Sequence, residues 1–442
     1  MRKLVFSKIS NSSLFKISIP AGILALSFVT GLQGCTGNLV GSTPPPTTNP
    51  IKHIVIIYQE NRSFDNFFYG FPGADSATTG MSGTTQVTLG PVDLDDPRSL
   101  DNSHGGWWKD WDGGKMDGFA RSTSTPTTFP YSYIPSGQIQ PYWTMAEQYT
   151  LADRMFQSST GPSFPAHLYL VAGQSGLADE DPGGTQWGCD DQPGSLVKLV
   201  GPNGTDLPGG VPPCFDFQTI SDLLDAAKIS WIFYTPADTD RGAVGSSYEA
   251  IKHIFYSSDW TNFVISPQTN VLTDVPAGKL AAVTWVIPDI THSDHPGTNS
   301  KEGPEWVASV VNAVGNSKFW DSTAIFITWD DWGGWYDHVQ PPPAIDSMGP
   351  GFRVPLIVVS PYAKRGYVSH VQYETASMIT FIEKNFNLPN LGNRDATATN
   401  LTDCFDFTQK PTPFQTISTT VTPEELIREP NTGAPDTDDV VN

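Results

Sequence analysis

Five short, nearly continuous apolar runs constrain this chain more than any other feature of it. They are 51–58 (IKHIVIIY), 230–234 (SWIFY), 280–287 (LAAVTWVI), 324–329 (AIFITW) and 354–359 (VPLIVV). Runs rich in β-branched and aromatic residues, without polar alternation, suit strands covered on both faces, the usual state of a mainly parallel sheet. Between several of them, 219–227, 304–316 and 374–385 carry helical patterns, so strands alternate with helices. The expected fold class is α/β, one mostly parallel central sheet flanked by helices, in a chain of 442 residues that is long enough for a large core.

The segments around this pattern read differently. Arg2, Lys3, Lys8 and Lys16 precede an apolar run, 17–32, that ends at Leu32-Gln33-Gly34-Cys35. A basic head, a short apolar stretch and small residues at the break describe an export signal over 1–34, too short to favour a permanent span. Leu-x-Gly-Cys also resembles a bacterial lipobox, which would make Cys35 a lipidated membrane attachment; Gln33 is an unusual residue there, and ordinary cleavage is the alternative. The expected location is periplasmic, outer-membrane or secreted. Residues 35–50, rich in Pro, Thr and Gly, read as a flexible linker. The catalytic domain is expected over 51–395, with 396–442 as a C-terminal extension over the surface. In an exported chain, Cys189 and Cys214 form the simplest disulfide, leaving Cys404 free or otherwise paired.

The net charge of −21 disfavours nucleic acid, since no concentrated basic patch accompanies it. An acidic protein can still act on an anionic phosphoester if a bound cation inverts the local charge. Candidate ligands lie at the ends of the apolar runs, where open parallel sheets bind ligands. Glu60-Asn61 follows the first run and offers a carboxylate beside an amide oxygen; alternatively Asn61 or Ser63 caps a helix. Asp330-Asp331 follows the fourth, and two adjacent carboxylates leaving an apolar strand need a cation or immediate solvent. Asp337-His338 comes one short turn later. In DITHSDHP, 289–296, His292, Asp294 and His295 suit ligation or acid-base work, and one histidine is equally explained as structural. Ser163, between two prolines before an apolar helical segment, is either a helix cap or a serine held outward as a nucleophile. His104 and Lys115 lie in a loop dense in Gly and Trp, where either can meet a phosphate or solvent. Gly-x-Ser-x-Gly, P-loop and His-Glu-x-x-His motifs are absent.

Taken in order, IKHIVIIYQENRSFDNFFYG, HGGWWKDWDGGKMDGF, GPSFPAHLYLVAG, the DHP of THSDHP and TWDDWGGWYDHVQPP resemble the bacterial phosphoesterase family that contains phospholipases C and respiratory-burst-inhibiting acid phosphatases. That family belongs to the alkaline phosphatase superfamily, so the resemblance implies a three-layer α/β sandwich. It also implies that Glu60, Asn61, Asp330 and Asp331 hold a divalent metal ion, and that Ser163 is the nucleophile and faces the metal. His104, His295 and His338 match positions near the phosphate, as phosphate contacts or proton donors.

Ser163 stands where the phospholipase branch usually carries Thr, and Asp330-Asp331 where it carries Asp-Glu. With no long C-terminal β extension visible, these features tilt the expectation towards a phosphomonoesterase working through a phosphoserine. A phospholipase C acting on phospholipid diesters is the nearest alternative. A lipoprotein that binds phosphate compounds without turnover is the alternative of another class.

Overall fold

A computed structural model describes residues 49–122, 127–184, 186–237, 245–298 and 300–429. The expected export signal, Cys35, residues 36–48 of the expected linker and residues 430–442 lie outside the described residues. Among the described residues, no helix is long and apolar enough to cross a membrane.

The five apolar runs are all strands of one sheet. In chain order its strands are β1 (His53–Gln59), β2 (Thr150–Phe156), β3 (Trp231–Tyr234), β4 (Val264–Ile265), β5 (Val283–Val286), β6 (Thr323–Trp329), β7 (Arg353–Val359), β8 (Tyr367–Ser369) and β9 (Tyr373–Glu374). Their spatial order is β8-β2-β7-β6-β1-β5-β3-β4, with β9 also paired to β2. From β6 through β1, β5 and β3 to β4 every pairing is parallel. The exception is β7, antiparallel to both β6 and β2. Pro355 sits in this strand without an N–H to give, and the register against β2 shifts between Val354 and Leu356, where the missing donor is accommodated.

Helices cover both faces, as the burial of every residue of β6 requires. Successive side chains of a strand point to opposite faces. Phe326 packs edge-on against Phe381 of the helix Ala376–Phe386, whereas Trp329 packs against Phe67 and Tyr142 of the helices Phe64–Phe68 and Gln140–Gln148. Each such aromatic contributes roughly 1.5–3 kcal/mol of burial. The three helical patterns correspond to Ile220–Ala227, Gly303–Gly315 and Ala376–Phe386. Numbered in chain order, the helices used below are α1 (Phe64–Phe68), α2 (His104–Trp111), α3 (Gln140–Gln148), α4 (Ser163–Ala172), α5 (Ile220–Ala227), α6 (Gly303–Gly315), α7 (Ala376–Phe386) and α8 (Pro423–Arg428).

Cys189 and Cys214 form a disulfide, and Cys404 is free and buried. Residues 396–429 belong to the same compact unit as the sheet. They run along α6, where the Asn312 amide donates to Ile417 O at 2.9 Å and Glu305 accepts from Thr420 N at 2.7 Å.

At the start of β7, fully buried Arg353 lies 3.0 Å from Asp337 and 3.3 Å from Asp65, both equally buried. Its guanidinium also donates to the carbonyls of Asp75 and Asp153 at 2.8 and 2.9 Å. Removing one side of such a pair strands buried charge. Arg353→Ala is therefore expected to lower the unfolding free energy by about 3–5 kcal/mol in a guanidinium titration; a loss under about 1 kcal/mol would contradict this role.

Candidate active site

Parallel pairing of β1 and β6 places Gln59 opposite Trp329, so the next residues on each strand, Glu60 and Asp330, leave the sheet side by side. The ladder continues one step further, with Asp330 N donating to Gln59 O at 2.9 Å. Asn61 then turns into the left-handed region at φ 59°, and its N–H donates to Asp330 Oδ1 at 2.7 Å. Asn61 is not a helix cap; Ser63 takes that role, accepting from Asn66 N at 3.3 Å. The side-chain amide of Asn61 donates to both oxygens of Asp331 at 3.2 Å. Asp331 also accepts from Asn102 Nδ2 at 3.0 Å and from Gly333 N at 2.5 Å. A β-carbon on Gly333 would lie 2.1 Å from Asn61 O, so only glycine permits this approach.

The third element is α4. Pro162 is its N-cap residue, and Ser163 is its first helical residue, with its hydroxyl turned to the strand ends. Ser163 Oγ donates to Asp330 Oδ2 at 2.5 Å and also lies 3.3 Å from Glu60 Oε2. One turn on, His167 Nε2 is 3.1 Å from Glu60 Oε1 and 3.9 Å from Asp330 Oδ2. All four side chains are buried. Burial and the neighbouring Glu60 carboxylate push the Asp330 pKa well up, while His167 and the Ser163 hydroxyl act in the opposite direction.

Three carboxylates (Glu60, Asp330 and Asp331), the Ser163 hydroxyl, the Asn61 amide and the His167 imidazole form a donor set that fits a divalent cation. Ligand atoms of Glu60, His167 and Asp330 all lie within 4.8 Å of one another. Oxygen donors with a single nitrogen suit a hard or borderline ion. The crowding is costly without positive charge and is relieved by it.

The three histidines matched by resemblance, His104, His295 and His338, occupy surroundings different from those of His167. His104 opens α2; its Nδ1 is 2.9 Å from Thr160 Oγ1, three residues before Ser163, and Trp108 donates its indole N–H to Nε2 at 3.0 Å. Burial lowers its pKa. Thr160 and Gly204, which both touch His104, line a cleft of about 710 Å³ whose walls include Trp107, Trp108, Trp111 and Pro341. His295 Nδ1 lies 2.6 Å from Pro296 O. His338 is gripped between Asp65 at 2.6 Å and Asp75 at 3.0 Å, within the Arg353 network, and Asp337 belongs there too. Lys115 is exposed and paired with Asp112 at 3.1 Å.

Sequence reasoning passed over His167, although its spacing of four from Ser163 puts both on one helix face. It also passed over Asn102 and Gln59. Gln59 braces the DHP loop against β1: its amide donates to His292 O at 3.1 Å and accepts from Asp294 N at 3.0 Å. Neither amide carries a local signature, because each acts across more than 200 residues of chain.

Two titrations test these assignments. A cation competes with the proton on Asp330, so divalent-ion affinity should fall steadily from pH 8 to pH 5.5, with proton release on binding; calorimetry showing pH-independent affinity would contradict it. His338 is held between carboxylates, chiefly Asp65, that push its pKa up to about 9 from 6.5, against the opposing effect of burial. Its stabilisation is thus fully present below about pH 6.5 and lost as pH rises through about 9. His338→Gln should lower Tm most near pH 6, with the gap closing near pH 10; a gap constant with pH would contradict the pairing.

The model of the Phosphoesterase family matches residues 51–389. Phospholipase C A of Mycobacterium tuberculosis (strain CDC 1551 / Oshkosh) is 27% identical over 435 residues, covering 83% of this chain and 79% of that protein. Non-hemolytic phospholipase C of Burkholderia pseudomallei (strain K96243) is 27% identical over 446 residues, but this chain spans only 60% of its length against 82% of its own. Among solved structures, a Vibrio parahaemolyticus protein of the alkaline phosphatase superfamily aligns at a TM-score of 0.38 and 11% identity, covering 78% of this chain and 70% of that one. The family match spans the strand ends, α4 and the loops that build the buried cluster, and the chain is a member of the Phosphoesterase family, a hydrolase of phosphoester bonds.

Proposed function

We propose that this chain is an exported, metal-dependent phosphoester hydrolase in which Ser163 attacks phosphorus and forms a phosphoserine. The contact of Ser163 Oγ with Asp330 Oδ2, at 2.5 Å, carries this reading. A hydroxyl fixed by a carboxylate and facing a cation is poised to lose its proton as it attacks. The Ser163 oxygen forms the new P–O bond while the alcohol leaves with its bonding pair and takes up a proton. Water then attacks the phosphoserine, the P–O bond to Ser163 breaks, and phosphate or a phosphomonoester departs. A divalent ion held by Glu60, Asn61, Asp330 and Asp331, with Ser163 facing it, would supply charge neutralisation for the phosphoryl oxygens. Position at the start of α4 also favours negative charge on Ser163 through the helix dipole. His104, His295 and His338 are proposed phosphate contacts or proton donors, and His104 has the most direct structural support, through Thr160 and the cleft.

For the substrate, Ser163 and the Asp330-Asp331 pair favour a phosphomonoester. A phospholipid diester is the second reading, favoured by the names of the similar proteins and by a tryptophan-walled cleft suited to apolar groups. Export, and lipidation at Cys35, rest on the N-terminal pattern alone.

Ser163→Ala should lower kcat at least ~10³-fold on p-nitrophenyl phosphate, with divalent-ion binding retained; near wild-type turnover would overturn the mechanism. Inorganic phosphate released from monoesters, against diacylglycerol from phosphatidylcholine vesicles, decides between the substrates. Faster release of diacylglycerol would overturn the first reading, and no turnover on either, whatever metal is supplied, would favour a binding protein.

A further inference from the structure

His292 is not accounted for by the catalytic cluster. It is fully buried on the loop between β5 and α6, its ring tilted against Trp306 at 5.0 Å. Its Nδ1 lies 2.8 Å from Asp289 Oδ1. Asp289 is fixed in turn, accepting from the backbone N–H groups of Thr291 and His292 at 3.0 and 2.9 Å and from Gln268 Nε2 at 2.5 Å. Against burial, Asp289, Glu429 and Glu302 favour the charged ring, so with Asp289 holding a proton on Nδ1 the opposite edge, Nε2, takes either a second proton or a cation. That edge faces Glu429 Oε2 at 3.6 Å, beyond hydrogen-bond reach.

Glu302, immediately before α6, completes the group: ligand atoms of His292, Glu302 and Glu429 lie within 4.8 Å of one another. Among the described residues, His292 Nε2, Glu302 Oε2 and Glu429 Oε2 are each buried without a hydrogen-bond partner. Burial and the adjacent Glu429 carboxylate, which can share a proton with it, push the Glu302 pKa up, and His292 acts in the opposite direction. Ligand atoms that converge in this way are costly to bury unless a shared proton or a cation joins them.

We propose that His292, Glu302 and Glu429 bind a second divalent cation of the zinc class, separate from the catalytic centre. One imidazole nitrogen and two carboxylates, with a fourth position left for water, suit a borderline ion better than calcium or magnesium, which favour all-oxygen sets. The Asp289–His292 pair is the outer-shell arrangement that orients a metal-ligating imidazole and raises its basicity. The three ligands come from a sheet-end loop, the start of α6 and the residue that follows α8. The ion would therefore clamp the C-terminal helix onto the loop whose His292 carbonyl receives Gln59, the neighbour of Glu60. This inference does not depend on the catalytic reading.

The test uses the full chain, stripped by chelation and titrated with zinc chloride alone, with bound zinc counted and Tm recorded. Glu302→Gln/Glu429→Gln removes two ligands at half-buried positions and should leave the zinc-free fold intact. It is expected to bind one zinc fewer than wild type and to lose roughly 5 °C of zinc-induced stabilisation, whereas Asp330→Asn keeps that share. If the double variant is unstable without zinc, Glu429→Gln alone is expected to weaken the same site at least ~10-fold. Equal zinc content and equal Tm shifts in wild type and the folded variant, or no zinc-induced shift in wild type, would overturn the proposal and leave a proton shared between the two carboxylates as the explanation.

Discussion

The site depends on the register of two neighbouring parallel strands. Because Gln59 lies opposite Trp329, Glu60 and Asp330 emerge together at one edge of the sheet, and Ser163 is delivered to both by α4. A slip of one residue would reverse the face of every β1 side chain and separate the carboxylates. Both strands are largely apolar and β6 is buried throughout, so a slip would have to repack side chains against the helices on both faces. Core packing and site assembly are therefore one constraint: the side chains that hold the strands together also force two acids into each other's field.

The loops serve to keep that arrangement fixed. Gly333 lets the Asp331 turn close onto the Asn61 backbone, Asn102 secures Asp331 from the α2 side, and Gln59 ties the DHP loop to the end of β1. Asp294 is itself anchored by Tyr142 at 2.7 Å and Trp329 at 2.9 Å. Groups around a reacting centre need this support, because an error of a fraction of an ångström in a ligand or nucleophile is expensive in rate. The Arg353 network does comparable work on the other side of the Asp331 turn, which explains why His338 and Asp337 meet Asp65 and Arg353.

Much of this was legible in the sequence. The five apolar runs mark five strands, and the residues just after two of them are the carboxylates of the cluster. What escaped has identifiable causes. Strand β2, TLADRMF, carries Asp153 and Arg154 in its middle, so it lacks the continuous apolar signature; Asp153 is tolerated because His370 and Asp75 N satisfy it at 2.8 Å. The reversed direction of β7 follows from a connection without a crossover helix, which periodicity alone does not report. Ser163 reads equally as a cap or a nucleophile until the strand ends are placed beside it, and His167 acquires meaning only through Glu60. Long-range pairings of this kind leave no local trace.

Whether Ser163 carries the phosphoryl group during turnover is decided by acid-quenching the enzyme with substrate in excess and mapping the modified peptide by mass spectrometry. One phosphoryl group is expected on Ser163, appearing within a turnover and chased away when substrate is diluted. Steady turnover with no phosphorylated peptide under conditions that trap such intermediates, or phosphate on another residue, would contradict it.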